Sequence, residues 1–169
     1  MKTTLNAAVF APADMGRAAP ALTWTHFPAG EKGFFRAPVL ISGATEAVLI
    51  DGGFTFPNGK DVADAIKATG KTLTTIYVSQ SDPDYYFSLK PIVEAFPDAR
   101  VTAASATLAA ITASVEKKIA VWGPQLKENG PQSMADIVQP EAYDDATLTV
   151  DGETIEIVDA QGLANRRYF

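Results

Sequence analysis

Residues 74–89 of this chain are TTIYVSQSDPDYYFSL. The first five residues, with Leu73 before them, are rich in β-branched and aromatic side chains, which favour a strand that ends at Val78. Residues 79–84 then concentrate serine, aspartate and proline, the residues that form turns. The stretch therefore predicts a strand that delivers a polar loop to one edge of a sheet, and this loop is the first candidate for a functional site.

A second apolar run lies upstream of this strand. Residues 47–50 form a continuous apolar segment that ends at Asp51-Gly52-Gly53. This pattern is typical of a buried strand that delivers a carboxylate to a turn at its C-terminal end. Between the two runs, apolar positions recur with helical spacing until Gly70 ends the predicted helix, at Val62, Ala65, Ile66 and Thr69.

The rest of the chain continues this alternation. We predict a short helix over 86–96, a strand over 100–103, and a helix with Ser105 as its N-cap. The apolar stripe of that last helix is Leu108, Ile111, Val115, Ile119 and Trp122. Strands separated by helices of this length usually pair in parallel through right-handed crossovers.

The flanking segments add strands. Alternation predicts one strand over 21–27 and another over 34–42, which Pro38 interrupts. After an irregular surface segment over 123–143, residues 147–150 and 154–158 predict a β-hairpin around Asp151-Gly152. Residues 166–169 resemble the opening of one more strand.

Composition excludes several classes of function. The chain has 169 residues, 47% of them hydrophobic, which is enough for a real core. Its net charge of −6 and its lack of basic clusters beyond pairs such as Lys117-Lys118 and Arg166-Arg167 argue against nucleic acid and anionic membrane as partners. The absence of cysteine excludes disulfides and thiolate sites. Residues 1–6 contain no apolar signal segment, so we expect a soluble, cytoplasmic protein.

Three segments carry a resemblance to a known family: the strand that ends at Asp51-Gly52-Gly53, the 79–85 loop, and Phe96-Pro97-Asp98-Ala99-Arg100-Val101. They resemble the metallo-β-lactamase superfamily, in which an apolar strand ends in Asp-Gly, a helix follows, and the next strand ends in a T-H-x-H-x-D-H loop. The resemblance covers most of the chain. It implies a four-layered αββα sandwich, of which this chain would form the N-terminal half.

The metal-binding motif of that superfamily is degenerate in this chain. Gln80, Asp82 and Tyr85 occupy the histidine positions, Ser79 replaces the threonine, and only Asp84 is kept. Zinc in such sites prefers imidazole or thiolate donors. The resemblance implies zinc, but these residues do not support it, so we expect no metal and no other cofactor. The two carboxylates would suit at best a loosely held hard cation.

The remaining histidine position of the family also lacks its ligand. Family members place a histidine in a turn after a β-hairpin, and residues 159–164 match that turn by position, with Leu163 where the histidine would lie. The single histidine, His26, lies far upstream in a predicted strand. We interpret it as a structural or surface residue.

The carboxylates of the motif allow both a functional and a structural interpretation. Asp51 could be a ligand or a base, but we favour a role in bracing the loop together with Gly52 and Gly53. Asp82 and Asp84 are the candidate catalytic residues, and they could hold a cation. The sequence Asp-Pro-Asp is also ordinary turn chemistry, which we consider the better interpretation.

The other side chains of the loop leave alternatives open. Tyr85-Tyr86-Phe87 could line a substrate pocket or could begin a helix with core contacts, and we favour neither. Ser79 and Ser81 have no G-x-S-x-G context and no histidine in the motif. A serine-hydrolase triad therefore has no support.

The sequence thus predicts an α/β fold, half of a metallo-β-lactamase-type αββα sandwich, with helices on one face of a mixed β-sheet. We expect residues 1–169 to form a single domain, truncated at its C-terminus. The other sheet face would then need a cover, supplied by self-association or by a C-terminal fragment.

For function, we expect a degenerate protein of this fold that lacks the zinc-binding histidines and has no ordinary metal-dependent hydrolase activity. One alternative is a hydrolase of an ester, lactone or amide that uses an atypical site or ligands from a missing C-terminal part. The other is a binding or assembly module, with a small molecule as one possible ligand.

Overall fold

The computed structural model describes residues 21–159 and 167–168. Its main sheet is mixed, and its six strands, β1 to β6 in chain order, are adjacent in that same order. They are Thr23–His26, Val39–Ser42, Glu46–Ile50, Thr72–Val78, Arg100–Ala103 and Glu141–Ala142. Strands β1 to β3 pair antiparallel, and β3 to β6 pair parallel. The predicted α/β class and the parallel pairing of the central strands are confirmed.

Three helices cover one face of this sheet: α1, Phe56–Ala68; α2, Leu89–Ala95; and α3, Ser105–Leu126. The hydroxyl of Thr55 caps α1 by accepting a hydrogen bond from the N–H of Asn58 at 3.4 Å. Alternate residues of the strands meet the helices in the larger apolar core, which includes Leu40, Leu49, Ile76, Val78, Val62, Ile66, Ile111 and Val115. None of the helices in the described segments is long and apolar enough to cross a membrane.

The opposite face of the sheet carries a β-hairpin. Its strands are β7, Thr147–Val150, and β8, Glu153–Glu156. Together with the sheet it forms a second apolar core of Val48, Ile50, Tyr77, Leu148, Val150, Ile155 and Ile157. The hairpin therefore covers the centre of the face that the sequence left open. At the edge of the sheet, Trp24 on β1 stays 69% exposed.

Two local predictions upstream of α2 are wrong. The strand predicted over 34–42 begins only at Val39, because Phe34 and Phe35 have φ of 58° and 57°, left-handed values that a strand does not adopt. The helix predicted to start at Tyr86 starts at Leu89. Residues Pro83–Tyr85 form a separate 3₁₀ turn instead, which suits the Asp-Pro-Asp sequence.

Two further predictions, around α3, are also wrong. Ser105 is the first helical residue rather than the N-cap, and its N–H donates to the carboxylate of Asp144 at 2.8 Å. The helix also continues through Gly123 and Pro124 to Leu126, where an irregular segment was expected. A distant acceptor and tertiary packing decide both boundaries, and neither is visible in the local sequence.

Near the C-terminal end, β9, Val158–Asp159, pairs antiparallel with β10, Arg167–Tyr168. A strand near residues 166–169 is thus confirmed at two of its residues. The predicted turn of residues 160–164, including Leu163, lies outside the described residues, as do residues 1–6.

Asp151 joins the hairpin to the main sheet. This residue has φ of 50° in the hairpin turn, a conformation that Asp and Asn tolerate well. Its carboxylate accepts hydrogen bonds from the N–H and hydroxyl of Thr45 and from the N–H of Glu46. In return, the N–H of Asp151 donates to the Glu46 carboxylate at 2.8 Å. The hydrogen bonds from the Thr45 hydroxyl and from the two backbone N–H groups lower the pKa of Asp151 to about 2.

We predict that Asp151 makes the protein more sensitive to acid. Because its pKa is lower in the folded protein than in the unfolded chain, its stabilising contribution is complete above about pH 4 and is lost as the pH falls towards 2. An Asp151→Asn variant, which keeps the left-handed preference, should lose less stability over this range, as measured by urea unfolding. The control is Asp145→Asn at an exposed position, which should follow the wild type. Equal pH dependence of wild type and Asp151→Asn would contradict the prediction.

Candidate functional site

The candidate site lies where β3 and β4 end side by side. These strands are parallel neighbours, with Ile50 paired to Tyr77, so the residues that follow both strands emerge at the same edge of the sheet. Asp51 follows β3, and Ser79 begins the loop after β4. The degenerate motif therefore occupies the edge that the sequence predicted.

Asp51 makes two hydrogen bonds to the beginning of the loop. Its carboxylate accepts from the N–H of Ser79 at 2.7 Å and from the hydroxyl of Ser79 at 2.8 Å. Its own N–H donates to the carbonyl of Tyr77 at 2.8 Å. These contacts hold the end of β3 against the end of β4, which is the geometry that a bracing role requires.

The environment of Asp51 raises its pKa to about 7. The largest cause is burial, which disfavours the charged form, and the negative charge of Asp84 acts in the same direction. The hydrogen bonds from Ser79 act against this shift but do not cancel it. A carboxyl group that titrates near neutral pH is a feature of many functional sites.

The two glycines after Asp51 bring the backbone close to the loop. The N–H of Gly52 donates to the carbonyl of Tyr85 at 2.7 Å, and Gly53 accepts from the N–H of Ser88 at 3.3 Å. A Cβ at position 52 would lie 2.5 Å from the Leu89 side chain. At position 53, φ is 100°, which favours glycine. Both positions therefore need glycine to keep the backbone this close to the loop.

Asp84, the one residue of the family motif that is kept, pairs with an arginine. Its carboxylate lies 2.8 Å from Nε of Arg36, which comes from the segment between β1 and β2. The side chains of Asp84 and Arg36 are 20% and 41% exposed, so this ion pair is partly shielded from water. A protein cation thus lies against the carboxylate that the sequence resemblance matches to the motif aspartate.

Asp82, the other candidate catalytic residue, faces a lysine. The carboxylate lies 3.8 Å from the ammonium of Lys118 on α3, and that ammonium also donates to the carbonyl of Ser81. Burial lowers the pKa of Lys118, while Asp82 and Asp84 act in the opposite direction. The sequence analysis did not identify Arg36 or Lys118, because neither lies near the motif in the chain.

Gln80 and Tyr85 stand at two of the histidine positions, and both line a crevice of about 500 Å³ beside the loop. Tyr86 and Phe87 instead lie in the core, with exposures of 1% and 0%. Of the two alternatives that the sequence left open, a pocket lining holds for Tyr85, and core contacts hold for Tyr86 and Phe87. His26 is exposed on β1, and its ring lies 5.9 Å from that of Trp24.

The donor atoms of this loop do not fit a zinc ion. The positions that would supply imidazole present an amide, a carboxylate and a phenol, and both loop carboxylates face protein cations. Among the described residues, no group of three or more histidine, cysteine, aspartate and glutamate side chains is arranged to hold a metal. The arrangement is that of a neutralised polar loop beside an apolar crevice.

No protein-family model and no curated protein matches the sequence. Solved structures do match. The B3 metallo-β-lactamase BLEG-1 gives a TM-score of 0.58 at 14% identity, over 87% of this chain and 67% of that one. A beta-lactamase domain protein from Burkholderia ambifaria gives 0.58 at 14% identity, over 95% and 52%. The metallo-β-lactamase SMB-1 gives 0.50 at 22% identity, over 72% and 45%.

These similarities show that the chain has the metallo-β-lactamase fold, as the motif region predicted. The chain spans about half the length of the last two structures. At these identities, the similarity extends to the fold alone.

We predict that Asp51 makes stability depend on pH near neutrality. Because burial raises its pKa to about 7, the stability linked to this group is complete below about pH 4 and is lost as the pH rises through 7. As the pH rises from about 4 to about 8, the stability of Asp51→Asn relative to wild type should increase by on the order of 4 kcal/mol, because the pKa of Asp51 is raised from 3.8 to about 7. Urea unfolding at each pH measures this difference.

The control for this experiment is Asp98→Asn, which removes an exposed carboxylate away from the loop. Its stability should follow that of the wild type across the range. A constant difference between wild type and Asp51→Asn at every pH would show that Asp51 does not titrate near neutrality.

Proposed function

We propose that this protein is a cytoplasmic, degenerate protein of the metallo-β-lactamase fold that works without a catalytic zinc ion and has no ordinary metal-dependent hydrolase activity. The observation that carries the proposal is the pairing of both loop carboxylates with protein cations, Asp84 with Arg36 and Asp82 with Lys118. A guanidinium or ammonium group supplies the positive charge that a metal would otherwise bring to these carboxylates.

The same ion pairs argue against the alternative of a hydrolase that uses Asp82 and Asp84. A carboxylate that activates water needs an oxygen directed at that water, whereas these carboxylates lie against Arg36 and Lys118. If the alternative holds, Asp84→Ala should abolish hydrolysis of an ester, lactone or amide while leaving the fold intact.

A binding or assembly module is the second candidate, and one observation favours it. Strand β1 pairs with β2 on one side only within the described residues, and its Trp24 is 69% exposed. An exposed strand edge with a large apolar side chain is a suitable surface for another chain, either a second copy or a C-terminal fragment. Size-exclusion chromatography with light scattering would test this candidate, and a monomer with no second polypeptide would count against it.

The proposed function predicts that purified protein incubated with zinc and then dialysed retains well under one equivalent of zinc, by elemental analysis. It also predicts no turnover of chromogenic ester, lactone and β-lactam substrates, with or without added zinc. The physical reason is that Arg36 and Lys118 must be displaced before Asp84 and Asp82 can bind a metal.

Two variants sharpen this test. Restoring imidazole with Gln80→His, Asp82→His and Tyr85→His should create zinc binding, and adding Arg36→Met should strengthen it by freeing Asp84. The matched control is Arg100→Met, which removes an arginine from an exposed ion pair with Glu141. Stoichiometric zinc in the wild type, lost on Asp84→Ala, would overturn the proposal.

A further inference from the structure

The crevice beside the degenerate loop has one apolar wall and one polar end. Its volume of about 500 Å³ lies in the range of small-molecule sites. The apolar lining residues come from β1 and the residue before it, from β2, and from the end of β3. They are Leu22 and Trp24, Val39 and Ile41, and Ile50. At the other end lie Asp51, Ser79, Gln80 and Tyr85.

Trp24 gives the apolar wall an unusual feature. It pairs with Ile41 across the β1–β2 ladder, so both side chains lie on the sheet face that borders the crevice. Its indole is 69% exposed, although large aromatic side chains are usually covered. The indole is thus available to cover one face of a bound molecule.

The polar end carries a carboxyl group with no cationic partner. Asp82 and Asp84 are paired with Lys118 and Arg36, and neither of those cations lines the crevice. Within the described part of the chain, no lysine or arginine lies within ion-pair distance of Asp51, whose oxygens accept only from Ser79. The crevice therefore offers a carboxyl group without a counter-ion, and an ammonium group beside it would favour its charged form.

We propose that this crevice binds a small organic cation, a primary amine on an aromatic or aliphatic body, with Asp51 as its counter-ion and Trp24 against its apolar part. The inference rests on the proposed function, because the crevice must be free of metal. An ammonium group can donate to the remaining lone pairs of the carboxylate, and the Gln80 amide oxygen lies at the same end of the crevice. The titration of Asp51 near neutral pH is consistent with a group whose charge a ligand can stabilise.

The experiment uses three probes of similar size: phenethylamine, phenethyl alcohol and phenylacetate. Binding to the full chain is measured by isothermal titration calorimetry, on protein whose zinc content has first been determined. We expect phenethylamine to bind about tenfold more tightly than phenethyl alcohol, the difference between a charge-assisted and a neutral hydrogen bond. Phenylacetate should bind most weakly, because its charge repels that of Asp51.

Two variants assign the binding to the crevice. Asp51→Asn should make the affinities for the amine and the alcohol equal. Trp24→Ala should weaken both ligands, and because Trp24 is exposed, this variant should fold normally. The matched control is Phe35→Ala, which removes another exposed aromatic side chain, 76% exposed, that does not line the crevice. Phe35→Ala should bind the amine as the wild type does.

Each contrary outcome has a definite meaning. Metal-free protein that binds no amine, or that binds the alcohol or phenylacetate as tightly as the amine, overturns this inference and leaves the proposed function intact. A dimer in which Trp24→Ala restores the monomer also overturns it, because a second copy then fills the crevice. Stoichiometric zinc in the wild type overturns the proposed function itself.

Discussion

The hydrogen bonds between the Asp51 carboxylate and Ser79 are the contact on which the site depends. They join the ends of two parallel strands at the point where each chain segment leaves the sheet, and they place both the Gly52-Gly53 turn and the 79–88 loop. In a sheet of this kind, the residues beyond the carboxyl ends of the strands form the crevice. The beginning of the loop is therefore positioned by its contact with the end of β3.

Both acidic side chains of the loop, Asp82 and Asp84, are paired with protein cations, whereas Asp51 has no such partner among the described residues. Arg36 reaches Asp84 from the segment between β1 and β2, and Lys118 reaches Asp82 from α3. Removing Arg36 would leave the Asp84 carboxylate, which is only 20% exposed, without its partner, whereas Asp82 is 60% exposed and would remain solvated. The ion pairs thus tie two distant elements to the loop and leave Asp51 as the carboxyl group that faces the crevice uncompensated.

Much of the architecture could be predicted from the sequence, because β3, β4, β5 and the main helices have strong local patterns. The errors have non-local causes. Asp144 supplies the contact at the start of α3 from a distant part of the chain, and left-handed Phe34 and Phe35 interrupt an apolar run that looked like a strand. The motif positions were found from sequence, but Arg36 and Lys118 were not, since only the fold brings those side chains to the loop.

Asp151 attaches the β7–β8 hairpin to the beginning of β3, so the two halves of this sheet face are covered differently. Among the residues that the structure describes, the hairpin packs on the sheet over β3 and β4, while Trp24 on β1 stays exposed on the same face. A molecule that packed on this face would therefore meet the hairpin over β3 and β4, and the sheet itself only towards β1.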